Sequence, residues 1–396
     1  MKPRVHALPF ALLVLLAAGC SQMDRPVGSE GFVITPYLQA AGRSGVTLRW
    51  TSARGHPCRV GYGSGELDRR LAARPLDDGQ RGGPPHLYRV RLAGLEPGTR
   101  YEYRVTCGTS THGASFRTFP ARPEPFTFIA YGDSRSYPAI HGSVARRFNR
   151  HRPAFLLHTG DLVSSGAFDE YAPEFFEPLA EVIDHVPVFA ARGNHEGDAD
   201  AYRQLLHSPD DRTWYSFDHG NTHVVCLDSC ADPAEHERMV AWCRNDLAGS
   251  DATWKIVYYH HPSYDVGGHA SRWGHGDLLP IFRKHGVDLI LCGHSHSYQR
   301  FVPLYETGVN ETHPITHVVT GGGGARLHDL ERHPYLAAGR LDHHYLVVQV
   351  DGAKLSARAL TADGRLLDEF ALVKKNGELT EASRRGARPE SGFDLR

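Results

Sequence analysis

The sequence predicts a small all-β sandwich followed by a larger α/β domain, and three observations predict it. Between residues 31 and 119, apolar residues alternate in short runs separated by Gly, Pro and Asp turns, with no helical periodicity. From Phe126 the pattern changes to strand-length apolar runs alternating with helical stretches. Beyond His313 the helical stretches stop and β-type runs take over. At 396 residues, 41% hydrophobic and 10% aromatic, the chain is long enough for two domains and apolar enough for a packed core. A disordered or fibrous protein is excluded.

At the N-terminus, Lys2 and Arg4 precede an apolar run from Leu8 to Ala18. The run falls well short of the ~20 residues that span a bilayer, so residues 1–19 read as a signal peptide. It ends in Ala-Ala-Gly-Cys, which resembles the bacterial lipobox. Cys20 is therefore expected to carry lipid, with residues 20–30 as a tether and membrane attachment through that lipid. The expected location is the bacterial cell envelope, in the periplasm or at the cell surface; ordinary secretion with Cys20 incidental is the alternative. Export places the other six cysteines in an oxidising setting. Cys58 and Cys107 could pair across the first domain, and Cys230 and Cys243 could form a local bridge. Cys226 and Cys292 end apolar runs and are expected as buried thiols.

In the first domain the strand candidates are Thr47–Trp50, Arg59–Tyr62, His86–Leu92, Tyr101–Thr106 and Ser115–Phe119. The segment from Leu95 through Pro97, Gly98 and Tyr101 to Val105 resembles the tyrosine corner of fibronectin type III domains, with Trp50 as the core aromatic. Phe119 to Pro125, rich in proline, reads as a stiff linker at residues 120–125. The second domain, residues 126–373, has strand candidates Phe126–Tyr131, Ala154–Thr159, Val186–Ala191, Thr222–Asp228, Ile256–His260 and Val287–Cys292. Helical periodicity falls at Ile140–Arg150, Phe168–Asp184, Ala234–Leu247 and Leu278–His285. The late β-type runs are Ile315–Thr320, His344–Val350 and Leu355–Leu360, with Asp363-Gly364 as a hairpin signal. Residues 374–396 are polar and expected to be disordered.

Basic and acidic residues nearly cancel, 44 against 45, so bulk charge gives no reason to expect nucleic acid as a partner. The 26 histidines raise the expectation of a metal site. Five strand candidates end in potential ligands: Gly132-Asp133-Ser134-Arg135, Gly160-Asp161, Gly193-Asn194-His195-Glu196, His260-His261-Pro262 and Gly293-His294-Ser295-His296. Ligands of open α/β sheets bind at the carboxyl ends of the strands. The set holds carboxylate, amide and imidazole without cysteine, which suits divalent Zn, Mn or Fe better than a thiolate-bound structural zinc. Each motif alone is weak; all five in register with the strands are strong.

This ordered set resembles the calcineurin-like metallophosphoesterases, in the purple acid phosphatase-like branch whose members often carry a fibronectin-like domain in front. The resemblance implies a four-layer α-β-β-α domain with a binuclear centre of two divalent ions, Fe, Zn or Mn. One ion would be held by Asp133, Asp161 and His296, the other by Asp161, Asn194, His260 and His294, with Asp161 bridging. A shared carboxylate holds two cations ~3.5–4 Å apart, the spacing that two-metal hydrolysis requires. Water deprotonated there attacks phosphorus, so the implied activity is in-line hydrolysis of a small phosphomonoester. His195 corresponds to a histidine that donates to the phosphate or the leaving oxygen, and Glu196 to a residue that orients a ligand.

The sequence departs from the purple enzymes at Ser164, where they carry the tyrosine that binds ferric iron, so a colourless divalent pair is expected. Arg135 stands where related families supply a histidine. Arg135 is expected to clamp phosphate oxygens; Arg300 could do so, or form a surface salt bridge. His269, nine residues past His260, stands where purple enzymes place a substrate-contacting histidine. His261 is expected to pack or meet solvent, Gly321–Gly324 to approach the site closely, and His219, His313, His328 and His343 to lie on the surface. The rival readings are a phosphodiesterase acting on nucleotide or phospholipid headgroup substrates, and a non-catalytic adhesion protein using the sandwich.

Overall fold

The computed structural model describes residues 31–76, 85–206, 212–269, 271–304, 313–380 and 383. The signal peptide, lipidated Cys20 and tether expected at residues 1–30 lie outside the described residues. Among the described residues, no helix is long and apolar enough to cross a membrane.

Seven strands come first: β1 (Phe32–Gln39), β2 (Gly45–Ser52), β3 (Cys58–Gly63), β4 (Arg69–Ala73), β5 (His86–Ala93), β6 (Arg100–Cys107) and β7 (Ser110–Arg117). They form one sheet in the order β1-β2-β5 and another in the order β4-β3-β6-β7. Alternating residues of both sheets close a shared core in which Trp50 stacks on Tyr88 with ring centroids 5.1 Å apart. Cys58 and Cys107 face each other across β3 and β6 and are joined by a disulfide. Cys230 and Cys243, which the sequence left able to bridge, are both free thiols. Cys243 is turned into the apolar core, whereas the Cys230 sulfur lies 3.8 Å from His261 Nδ1.

The segment expected as a linker carries part of the second domain's core. Phe119 is buried, with His219 at 4.6 Å between ring centroids and Phe155, Phe189 and Phe217 close by. His219 is therefore a core residue and not the surface one expected, and burial pushes its imidazole down to about 4. The two domains also share hydrogen bonds: the Tyr37 hydroxyl donates to Leu205 O at 2.6 Å and the Tyr103 hydroxyl to Asp184 O at 2.6 Å.

The second domain follows as β8 (Phe126–Tyr131), α1 (Pro138–Ala145), β9 (Phe155–His158), α2 (Glu177–Ile183), β10 (Val188–Ala190), α3 (Asp200–Leu205), β11 (Tyr215–His219), β12 (Thr222–Cys226) and α4 (Pro233–Ala248). Then come β13 (Trp254–Tyr258), α5 (Leu278–Lys284), β14 (Leu289–Cys292), β15 (Tyr298–Phe301), β16 (Thr316–Thr320), β17 (Leu336–Arg340), β18 (His344–Asp351), β19 (Lys354–Thr361), β20 (Leu366–Lys375) and β21 (Glu378–Leu379). One seven-stranded sheet runs β10-β9-β8-β18-β19-β20-β21 and the other β11-β12-β13-β14-β16-β15-β17. Phe128, Leu157 and Leu346 of the first share a core with Val224, Ile256 and Leu291 of the second, so the sheets pack face to face. The outer face of the first is covered through Val144, Leu179 and Ile183 of α1 and α2, that of the second through Met239, Cys243 and Phe282 of α4 and α5. The four layers are α-β-β-α.

Two expected helices are shorter than their periodicity suggests. The stretch Ile140–Arg150 breaks after Ala145 and resumes as a 3-10 turn over Phe148–His151. The stretch Phe168–Asp184 contains two prolines, Pro173 and Pro178, and passes through a π-helical turn, Ala172–Phe176, before α2. The tail expected to be disordered from residue 374 is ordered at its start. Lys374 lies in β20, and its Nζ donates to Thr253 O at 2.6 Å and pairs with the buried Asp288 at 2.8 Å. A buried carboxylate partner, unreadable from a polar stretch, accounts for the order.

Candidate active site

Strands β8, β9 and β10 run parallel, as do β12, β13, β14 and β16, so their carboxyl ends share one edge of the sandwich. Asp133 follows β8, Asp161 follows β9, Asn194 and His195 follow β10, His260 follows β13, and His294 and His296 follow β14. The backbone there is under strain. Asp133, Asp161 and His294 have φ of +58°, +59° and +69°, a region that costs an L-residue of order 1–3 kcal/mol. Gly193 and Gly293 make the convergence possible: a Cβ on the first would collide with the Asp161 carboxylate, and on the second would lie 2.5 Å from Asp133 Oδ2.

The six residues expected to hold metal are brought together. Asp133, Asp161 and His296, all buried, place donor atoms within 4.8 Å of one another; His296 Nε2 lies 3.4 Å from Asp133 Oδ1. His260 Nε2 lies 3.3 Å from Asp161 Oδ1, 3.0 Å from Asn194 Oδ1 and 3.2 Å from His294 Nδ1. Asp161 stands between the two groups. His261, expected to pack or meet solvent, also brings a nitrogen into the second group with His260 and His294.

Each donor is aimed by a neighbour. His260 Nδ1–H donates to Thr159 O at 2.9 Å and His296 Nδ1–H to Arg326 O at 2.6 Å, leaving Nε2 of each ring for the site. The Asp133 carboxylate accepts the His294 N–H at 3.0 Å. Glu196, buried, accepts the N–H groups of Asp161, Leu162 and Gly193 at 3.0, 2.7 and 2.6 Å, so it shapes the Asp161 loop without joining the cluster.

Charge is arranged to match. Burial would raise Asp161, but His260, His195 with its amide, and Arg135 outweigh it and hold the carboxyl at about 2. Burial, reinforced by His260, His261 and His269, pushes His294 down to about 2 and keeps its ring neutral. For His260, burial opposes the charged form, yet Asp161, Asp133 and Glu196 raise it.

The remaining expected residues divide. Arg135 Nε lies 3.3 Å from Asp161 Oδ2, and His195 donates its backbone N–H to Asp161 Oδ1 at 3.0 Å, so both border the cluster. His269 joins the rim: its ring lies 4.9 Å from His294, and its Nε2 is 3.2 Å from His328 Nε2. His328, expected on the surface, stacks on His296 with ring centroids 3.9 Å apart, carried there by the loop after Gly321–Gly324. That glycine run does approach closely, since a Cβ on Gly321 would lie 2.8 Å from Asp133 Oδ2. Arg300 takes no part; it pairs with Asp368 at 2.6 Å and lies over Phe370.

The calcineurin-like phosphoesterase family matches residues 127–298, a range that contains all six residues expected to hold metal. The chain thus carries a calcineurin-like phosphoesterase domain. Its relatives include purple acid phosphatase 21 of Arabidopsis thaliana, 27% identical over 266 residues that cover 61% of this chain and 59% of the relative. Another is acid phosphatase type 7 of Mus musculus, 27% identical over 346 residues covering 74% and 78%. The chain therefore spans less than two-thirds of the Arabidopsis relative. The purple acid phosphatase PPD1 of yellow lupin seeds shares the fold, with a TM-score of 0.72 at 19% identity over 86% of this chain and 74% of that one. These homologues are consistent with a metal-dependent phosphoric ester hydrolase.

Members of this domain family use a binuclear metal centre, and the residues present fit one. Two donor groups meet at Asp161, three of the ligand-type residues sit in left-handed backbone, and glycine stands where a side chain would fill the cradle.

Proposed function

We propose that the chain is a bimetal phosphomonoesterase, in which Asp133, Asp161 and His296 hold one divalent ion and Asp161, Asn194, His260 and His294 the other. The observation that carries this is the meeting of five strand-end loops on one buried carboxylate, Asp161. When bound, such an ion pair polarises a phosphoryl oxygen and lowers the pKa of water. Arg135 anchors its Nε on Asp161 and its Nη1 on Ser136 Oγ at 3.2 Å, leaving Nη2 for a phosphate oxygen. His195, its Nδ1 held by Ser164 O, turns Nε2 toward the site, where the ring in its protonated form would hydrogen-bond the phosphate or give its proton to the leaving oxygen. His269 borders the substrate from the opposite loop. The names of the acid phosphatase relatives support a monoester substrate.

The first domain is proposed to be fibronectin type III-like. Its three-plus-four strand arrangement supports this, as does the Tyr101 hydroxyl accepting the Glu96 N–H at 3.0 Å in the manner of a tyrosine corner. Export with lipid attachment at Cys20 remains a proposal supported by the lipobox-like Ala-Ala-Gly-Cys.

Hydrolysis of p-nitrophenyl phosphate against its bis ester, after reconstitution with Mn, Zn or Fe, tests the reading. Faster turnover of the monoester is expected. Preference for the bis ester indicates a phosphodiesterase, and no hydrolysis with metal bound a non-catalytic protein.

A further inference from the structure

We propose that Glu174 is a positioning residue of this site, fixing Arg135 and the loop that anchors His195; the inference rests on the phosphoesterase reading above. Glu174 belongs to the π-helical turn Ala172–Phe176, an irregularity that often marks functional positions. Its carboxylate reaches two separate loops. Oε2 accepts the Ser136 N–H at 2.8 Å, and the Ser164 hydroxyl lies 3.0 and 2.9 Å from Oε1 and Oε2. Ser136 has φ of +71°, a strained conformation that persists only where the surroundings hold it. Glu174 supplies that hold immediately after Arg135.

The hydrogen bonds run in one direction. A carboxylate only accepts, so Ser164 gives its proton to Glu174. Ser136 Oγ, 2.9 Å from Ser164 Oγ, then donates to it, and Arg135 Nη1 donates to Ser136 Oγ at 3.2 Å. The chain Arg135–Ser136–Ser164–Glu174 ends on an anion, and such chains polarise each bond along them. The carbonyl of the same Ser164 accepts the His195 Nδ1–H at 2.5 Å. One glutamate, through Ser136 and Ser164, thereby sets the two groups assigned to the substrate. Its main chain is fixed as well, Glu174 O accepting from His141 Nδ1 at 2.9 Å.

The test is a double-mutant cycle on the full, metal-loaded chain: Glu174→Ala, Glu174→Gln and Arg135→Ala, singly and combined. Bound metal, kcat and KM for p-nitrophenyl phosphate, and affinity for orthophosphate are read for each. Glu174→Ala is expected to keep its metal and to lose about 10²-fold in kcat/KM, the cost of a misplaced catalytic group. In the Arg135→Ala background the same substitution should cost clearly less, the remainder being the part that acts on His195 through Ser164. Glu174→Gln, which keeps one acceptor, should fall between the two and carries the same cycle if the alanine variant does not fold. Wild-type kcat/KM in the Glu174 variants, or an equal loss with and without Arg135, overturns the inference. A wild-type protein that binds metal but hydrolyses neither ester defeats the phosphoesterase reading instead, and the cycle on orthophosphate affinity then decides Glu174 by the same criterion.

Discussion

The His195 ring donates its Nδ1–H to the carbonyl oxygen of Ser164 at 2.5 Å, and this bond fixes which nitrogen can act on a substrate. The Nε2 atom, 3.8 Å from Asp161 Oδ2, is left as the working nitrogen, on a side chain that is 29% exposed. His195 is tied to the cluster by its backbone, not by its ring. Its position survives loss of the imidazole, and its chemistry does not.

His195→Ala should therefore retain metal and lose most of its turnover, about 10²–10⁴-fold in kcat. Metal analysis alongside steady-state kinetics checks this; loss of metal in the variant would make His195 a ligand.

Glu196 gathers four backbone N–H groups around the Asp161 loop while itself buried. Glu196→Gln turns an acceptor into a donor among donors and should weaken metal affinity by about 10–100-fold, as expected for a residue that orients a ligand. Competition with a chelator measures the change, and unaltered affinity would show that the loop holds itself.

A further test concerns stability away from the site. Burial opposes a charge on His223, but Asp218 at 2.7 Å and Asp246 at 2.8 Å raise it to about 9. A folded-state value above the unfolded one of about 6.5 contributes stability that is complete below that pH and lost as pH rises through the folded value. The Tm difference between the wild type and His223→Gln should be largest below about pH 6.5, shrink steadily as pH rises, and be nearly gone by about 9. A difference that is flat with pH would contradict the assignment of charge to His223.

Colour provides another check. Ser164 stands where the resemblance to the purple enzymes implies an iron-binding tyrosine, and its hydroxyl is committed to Glu174. The iron-reconstituted protein should show no tyrosinate-to-iron absorption band in the visible; a purple preparation would mean that another tyrosine reaches the cluster.

The ligand-type residues were legible because each directly follows an apolar strand run, and parallel strands bring their carboxyl ends to one edge. The Cys58–Cys107 pairing was legible for a similar reason, since both lie on short strands of one small domain. What escaped depends on loops that cross in space. His328 and His261 carry no periodic signal, yet loop paths place one over His296 and the other beside His294. Glu174 sits in a stretch that reads as an ordinary amphipathic helix, and its partners Ser136 and Ser164 come from elsewhere in the chain. Cys243 looked available for a local bridge because helical phase alone does not say that its face is the buried one.

Metal stoichiometry of the wild type and Asp161→Ala, by inductively coupled plasma mass spectrometry after reconstitution, tests the central claim most directly. A carboxylate shared by both ions predicts two per wild-type chain and no intact pair in the variant, with hydrolysis abolished. A wild type that takes up no divalent ion, or an Asp161→Ala protein that still holds two, would contradict it.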